Sequence, residues 1–176
     1  MSPAHLCWSS ASAPPITKSR GTLATAASSQ AEQSEGGQPK EDWRAYGRTQ
    51  LGQRYSPLDQ ITPGNAKNLK VAWTFRAGDL PGKNDPGETT FEVTPIKVGN
   101  THYFCSQHQR LFALDAKMGK LRWSFDPKVQ SNPTFQHLTC RGVSYHEITK
   151  GSANDATDRP RRIFLPVNDG RMILMA

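Results

Sequence analysis

Residues 92–123 read EVTPIKVGNTHYFCSQHQRLFALDAKMGKLRW, and this stretch decides the fold. Val93–Val98 alternates between apolar and polar residues and ends at Gly99-Asn100, a two-residue hairpin signal. Thr101–Cys105 runs back, Ser106–Gln109 makes a short polar loop, and Arg110–Asp115 is the next strand. Ala116–Gly119 turns and Leu121–Phe125 is the fourth strand. Four short antiparallel strands joined by short turns form a meander, the shape of one propeller blade.

Ala113, Asp115, Gly119 and Trp123 fit the spacing A-x-D-x-x-x-G-x-x-x-W. The glycine permits a positive φ in the turn, and the indole offers a flat apolar face to a neighbouring sheet. An ordinary meander with a core Trp has the same ingredients. The pattern resembles the tryptophan-docking motif of the pyrroloquinoline-quinone (PQQ) dehydrogenases, whose eight blades stack in a ring. That family places Thr before the Gly; here the residue is Met118, so one docking hydrogen bond is expected to be missing.

Working outward, the 176 residues suffice for one domain. A 35% hydrophobic content and a mean hydropathy of −0.66 are low for a self-sufficient domain, while 13 Pro and 14 Gly suit a loop-rich β protein. The net charge of +7 reads as a solvated surface, because no nucleic-acid-binding signature accompanies it. Apolar runs are strand-sized, so no transmembrane helix is expected. Of Cys7, Cys105 and Cys140, no two form a C-x-x-C pair, which argues against zinc. Cys105 and Cys140 could meet across a blade or stay as buried thiols; export would favour a disulfide.

Residues 1–40 are rich in Ser, Ala, Gln and Pro, and have neither a secretory apolar core nor a clear amphipathic face. They read as a disordered tail or linker, with a transit peptide as the alternative. Composition shifts at Glu41-Asp42-Trp43, which opens residues 41–176 as the folded part. Asn65–Leu69 reads as a helical turn and Leu69–Phe75 as a strand. Trp73-Thr74-Phe75 recurs as Trp123-Ser124-Phe125 at a blade-like period. Residues 126–161 form a long excursion; Arg161–Val167, Asn168-Asp169-Gly170 and Arg171–Met175 then make another hairpin.

The motifs D-W-x-x-Y-G-R (from Asp42), Q-R-Y-S-P-L-x-Q-I-T (from Gln53) and L-x-V-A-W-T-F-R-A-G-D (from Leu69) resemble the opening of quinoprotein dehydrogenase propellers. N-D-P-G-E, E-V-T-P-I-K-V, H-Q-R-L-F-A-L-D-A, F-Q-H-L-T-C-R-G-V-S-Y-H-E and L-P-V-N-D-G-R follow in order. Together they are similar to the membrane-bound PQQ glucose dehydrogenase branch, from about Asp42 to Ala176. The resemblance implies an all-β fold, a partial eight-bladed propeller with about one and a half blades present. A ring needs closure, so the chain reads as an N-terminal fragment of a longer enzyme.

Blade topology places Glu92, the Ser106–Gln109 loop and the 126–161 connection at one face, with Gly99-Asn100 and Ala116–Gly119 at the other. Glu92, His108 and Arg141 therefore share a face despite their separation in sequence. Asp169 is expected on the opposite face, as a structural residue. His137 and His146 lie near Arg141 but match no metal spacing. Arg141 suits a carboxylate partner, which could also be Glu147 or Asp158. Glu92 could be an exposed strand-end carboxylate, and His108 a solvated loop residue.

The resemblance implies that Glu92, His108 and Arg141 are cofactor-binding residues for PQQ. The adjacent cysteine pair of the alcohol-oxidising relatives is absent, since Cys140 stands alone before Arg141. By family, D-glucose is oxidised to gluconolactone and electrons pass to ubiquinone at the periplasmic face of the inner membrane. By family too, a Ca²⁺ or Mg²⁺ ion polarises the quinone carbonyl. Its ligands and the catalytic base are expected outside this chain, so no catalytic or metal residue is assigned here. Relatives in this branch carry membrane helices before the propeller; none is read here. A non-catalytic β-repeat binding module and a PQQ alcohol dehydrogenase of the same fold are the alternatives.

Overall fold

The computed structural model describes residues 38–176 except 50, 131, 133, 135 and 148–160, so nearly all of the expected tail, Cys7 and Asp158 lie outside the described residues. Among the described residues there are seven strands and one 3-10 turn, Ala66–Asn68. The first sheet is a meander of β1 (Ile96–Val98), β2 (Thr101–Cys105), β3 (Leu111–Asp115) and β4 (Leu121–Phe125), every neighbouring pair antiparallel. The second is β5 (Ser144–Glu147), β6 (Arg161–Pro166) and β7 (Met172–Met175), again in sequence order. The boundaries of β2 and β4 are those expected from the sequence.

Alternation along β3 explains the layering. Leu111 and Ala113 point to one side, Phe112 and Leu114 to the other, and all four are buried. A strand buried on both faces belongs to a sheet covered on both faces. On one side Ile96, Cys105 and Leu111 pack with Cys140, Val143, Ile163, Leu165 and Val167, so the core lies between the two sheets. On the other side Phe104, Phe112 and Leu114 meet Trp73, Phe75 and Ala77. The Phe104 and Phe112 rings stack at 5.2 Å, and Phe75 meets Phe112 edge-on at 5.7 Å.

The docking turn is used, and by the earlier tryptophan. Trp73 lies flat against Gly119, whose φ is 64°; a Cβ there would fall 2.4 Å from the indole. The indole Nε1–H donates to the Ala116 carbonyl at 3.3 Å. Asp115 shapes the turn by accepting from the Lys117 and Met118 amides at 3.0 and 2.9 Å. Its carboxyl is held below the usual range by the Arg122 guanidinium first and by the Met118 amide next. Trp123 stays partly exposed beside Tyr103, 6.0 Å away.

Four expectations change. β1 begins at Ile96 rather than Val93, because the Thr94 amide donates to Arg141 O and Pro95 has no amide hydrogen. β1 also has a partner on its outer side: Trp43 and Lys97 exchange backbone bonds of 2.9 and 2.8 Å. Leu69–Phe75 is extended but joins neither sheet; Trp73 and Phe75 turn inward while Leu69 and Val71 stay exposed. β5 lies inside the excursion expected from the sequence.

The fourth change concerns the ends of the sheets. The Gln109 side-chain carbonyl accepts from the Asn168 amide at 2.8 Å, and the Arg171 guanidinium donates to Pro127 O at 2.8 Å. The Asn168-Asp169-Gly170 turn therefore sits with the Ser106–Gln109 loop, and Asp169 is on the face from which it was excluded. This end is called the near end. Gly99-Asn100 and the Ala116 turn form the far end, joined by the Ala116 amide donating to Asn100 O at 3.1 Å.

Candidate cofactor site

Two segments build the site at the near end. Residues 88–94 precede β1, and residues 137–142 precede β5. They run side by side through backbone bonds: Leu138 N–H to Glu88 O (2.9 Å), Thr90 N–H to Leu138 O (3.1 Å) and Thr94 N–H to Arg141 O (3.0 Å). Thr139 Oγ1 adds a bond to Thr90 O at 3.0 Å. A disulfide between Cys105 and Cys140 fixes the second segment to the end of β2, immediately before Arg141. Both cysteines are buried, which answers the open question between thiols and a bridge.

These two segments bring four side chains together. Arg141 Nη2 lies 3.2 Å from Glu92 Oε2, and 76% of the Arg141 side chain remains accessible. The Thr90 hydroxyl donates to Glu92 Oε1 at 2.9 Å. His137 Nε2 is 2.6 Å from the same hydroxyl and 3.8 Å from Glu92 Oε1. A hydroxyl has one proton, so with that proton on the Glu92 bond the imidazole nitrogen is the donor to Thr90. The Asn168 amide side chain donates to His137 O at 3.4 Å. Of the partners weighed for Arg141, Glu147 instead pairs with Arg44 and Arg161, at 2.8 and 3.1 Å.

His108 occupies a second cluster at the same end. Its Nδ1 is 2.8 Å from Asp79 Oδ1, and its Nε2 is 2.9 Å from Asp85 Oδ2. The His108 amide donates to Asp79 Oδ2 at 3.3 Å, and Gln107 Nε2 donates to Asp79 O. The aspartates are nearly buried, at 9% and 4% side-chain exposure. Arg110 approaches Asp79 at 4.0 Å, and Asp126 and Lys128 border the shallow depression of about 310 Å³ beside the imidazole. Burial pushes the Asp126 carboxyl up, but its bonds from Lys128 outweigh this and hold it low.

Sequence reasoning thus found two members of the first cluster and passed over His137 and Thr90. The signal for His137 was present: it lies four residues before Arg141 in the same motif, and the topology that put Arg141 at this end put His137 there too. Asp79 and Asp85 were hidden in an irregular stretch whose path no periodicity reports. Among the described residues no group of three or more His, Cys, Asp or Glu is arranged to hold a metal ion. No helix among them is long and apolar enough to cross a membrane. A wider cleft of about 820 Å³ includes Arg44, Asn100, Trp123 and Arg161 and contains none of the three candidates.

The donor set of the first cluster fits a planar polycarboxylate. Glu92 engages one end of the guanidinium and leaves most of its fork accessible; imidazole and hydroxyl stand beside it. Comparisons with known proteins show the family. Residues 43–176 match the family model described as PQQ glucose/ethanol/alcohol dehydrogenase, β-propeller domain. The chain is 62% identical over 135 residues to a quinoprotein glucose dehydrogenase of Escherichia coli, covering 76% of this chain and 17% of that protein. It is 55% identical over 141 residues to the quinoprotein glucose dehydrogenase of Gluconobacter oxydans, with 77% and 17% covered. Among solved structures, a quinohemoprotein alcohol dehydrogenase of Pseudomonas putida HK5 superposes with a TM-score of 0.58 at 27% identity, over 84% of this chain and 19% of that one. The chain therefore spans about a sixth of the length of the curated relatives it matches.

Proposed function

The chain belongs to the PQQ-dependent glucose/ethanol/alcohol dehydrogenase propeller family, and on that premise we propose that it supplies part of the cofactor site of a quinoprotein glucose dehydrogenase. The observation that carries this reading is the Glu92–Arg141 pair, with Thr90 and His137 beside it and most of the guanidinium exposed. Arg141, with most of its guanidinium accessible, would hold a PQQ carboxylate. Glu92 orients Arg141, and His137 and Thr90 hold the polar rim. His108 supports this rim from the neighbouring cluster, since both its ring nitrogens are taken by carboxylates.

When bound, PQQ supplies the quinone carbonyls that accept two electrons from the substrate. The residues of this chain bind and orient it; the base that takes the substrate's proton lies outside them, as do the ligands of the Ca²⁺ or Mg²⁺ ion. The substrate is D-glucose or a related aldose, and ubiquinone at the periplasmic face of the inner membrane receives the electrons. Glucose is favoured over an alcohol by the higher identity to the glucose dehydrogenases, 62% against 38% for a quinone-linked alcohol dehydrogenase subunit of Gluconobacter oxydans.

The test is dye reduction by the full-length protein with PQQ and a divalent cation. Activity with glucose that needs added PQQ is expected. Activity with primary alcohols instead moves the protein to the alcohol branch, and PQQ-independent inertness with both supports the non-catalytic binding module.

A further inference from the structure

The segment that carries Thr90 and Glu92 has few anchors upstream of the site. From Asp79 to Asp85 it reads D-L-P-G-K-N-D and has no strand or helix. Its turn is closed by the Asp85 amide donating to Gly82 O at 3.3 Å and by the Gly82 amide donating to Asp85 Oδ2. That turn brings two carboxylates, six positions apart, to opposite sides of a single imidazole. His108 Nδ1 meets Asp79 at 2.8 Å and His108 Nε2 meets Asp85 at 2.9 Å. The ring itself sits in the short loop between β2 and β3, which the Ser106 amide closes on Arg110 O at 2.9 Å and the Gln109 amide on Ser106 O at 2.8 Å, with the buried Gln109 side chain bonded to the Asn168 amide. Three residues after Asp85, Glu88 O accepts from Leu138, the neighbour of His137.

We infer that His108 is a positioning residue, which by joining Asp79 to Asp85 fixes the path of residues 79–92 and so sets Thr90 and Glu92 against His137 and Arg141. Saturated hydrogen bonding is what this role needs: an imidazole with both nitrogens engaged has no lone pair or proton to offer a ligand, but it resists displacement from either side. The inference rests on the reading of Glu92 and Arg141 as the cofactor rim, and deepens it.

Hydrogen exchange and PQQ titration of the full-length protein test it, comparing His108→Gln and the isosteric Asp85→Asn with the unsubstituted protein. Loss of one charge-assisted bond is expected to speed exchange at the Thr90 and Leu138 amides about tenfold and to weaken PQQ binding by a similar factor, with the β2–β3 ladder unchanged. Unchanged exchange at Thr90 and Leu138 overturns the inference. So does acceleration of equal size throughout both sheets, which is general destabilisation. If His108→Gln does not fold, Asp85→Asn decides on the same two readouts. Arg141→Ala runs alongside. If that variant keeps full PQQ affinity, the cofactor-rim reading fails, while the exchange pattern still judges the clamp separately.

Discussion

The two charged clusters at the near end share residue types but not completeness. Around His108 both ring nitrogens face carboxylates, the aspartates are nearly buried, and the backbone amide joins in. Around Arg141 the carboxylate touches one end of the guanidinium and the rest stands in solvent. A closed cluster has spent its hydrogen-bonding capacity on the fold, so removing a member leaves buried charge without compensation. An open cluster keeps capacity for a ligand, and exposed ion pairs of its kind add little stability. Binding and stability should therefore respond to different substitutions.

The largest effect should come from the disulfide, which ties the Arg141 segment to the end of β2. Replacing Cys105 and Cys140 by Ser releases a crosslink 35 residues apart, for about 4 kcal/mol on the chain-entropy model. Denaturant midpoints with and without reductant read this loss. Exchange should rise first near Arg141 and last near Asp79; the reverse order would break the distinction between the clusters. Trp73→Ala removes an indole docked on Gly119 and should cost about 3 kcal/mol, a partly buried aromatic falling at the low end of the range. It tests the scaffold common to both clusters, so thermal melts should fall while the relative exchange of the two stays the same.

His108→Ala should cost about 2 kcal/mol of stability, because Asp79 and Asp85 are left facing each other without the imidazole. Arg141→Ala should change the urea midpoint by less than about 0.5 kcal/mol equivalent. Equal losses in the two variants would erase the comparison. The smallest effect concerns Asp169, whose carboxyl is held below the usual range chiefly by the Arg171 guanidinium. A depressed carboxyl contributes stability above its ordinary pKa, and that contribution disappears as pH falls through the folded value. Asp169→Asn should lower stability slightly at neutral pH, converge with the unsubstituted protein in acid and so flatten the acid limb of the pH–stability curve; a loss that is larger in acid than at pH 7 would contradict the assignment.

What the sequence revealed divides along similar physical lines. β2 and β4 were legible to the residue because the glycine turns at 99 and 119 bound them. β5 was missed because Ser-Tyr-His-Glu is short and polar, and its strand character comes from pairing with Arg161–Phe164. The reverse held at Leu69–Phe75, where a good strand pattern has no ladder partner among the described residues. The face of Asp169 was misjudged although R-M-I-L-M parallels R-L-F-A-L; that repeat already aligned Asn168-Asp169-Gly170 with Ser106–Gln109. Glu92 and Arg141 were found through resemblance and topology together. The Asp79–His108–Asp85 clamp was not, because it depends on a fold-back that only tertiary structure creates.

The central claim is that Arg141 anchors an anionic planar cofactor at an open cluster. Its most direct test is a PQQ titration of the full-length protein, followed by quenching of intrinsic fluorescence, with Arg141→Ala beside it. The account predicts saturable binding that weakens about 100-fold in the variant, the loss of a forked charge-assisted contact, while the melting temperature stays within about 1 °C. Equal PQQ affinity in the two proteins would contradict it.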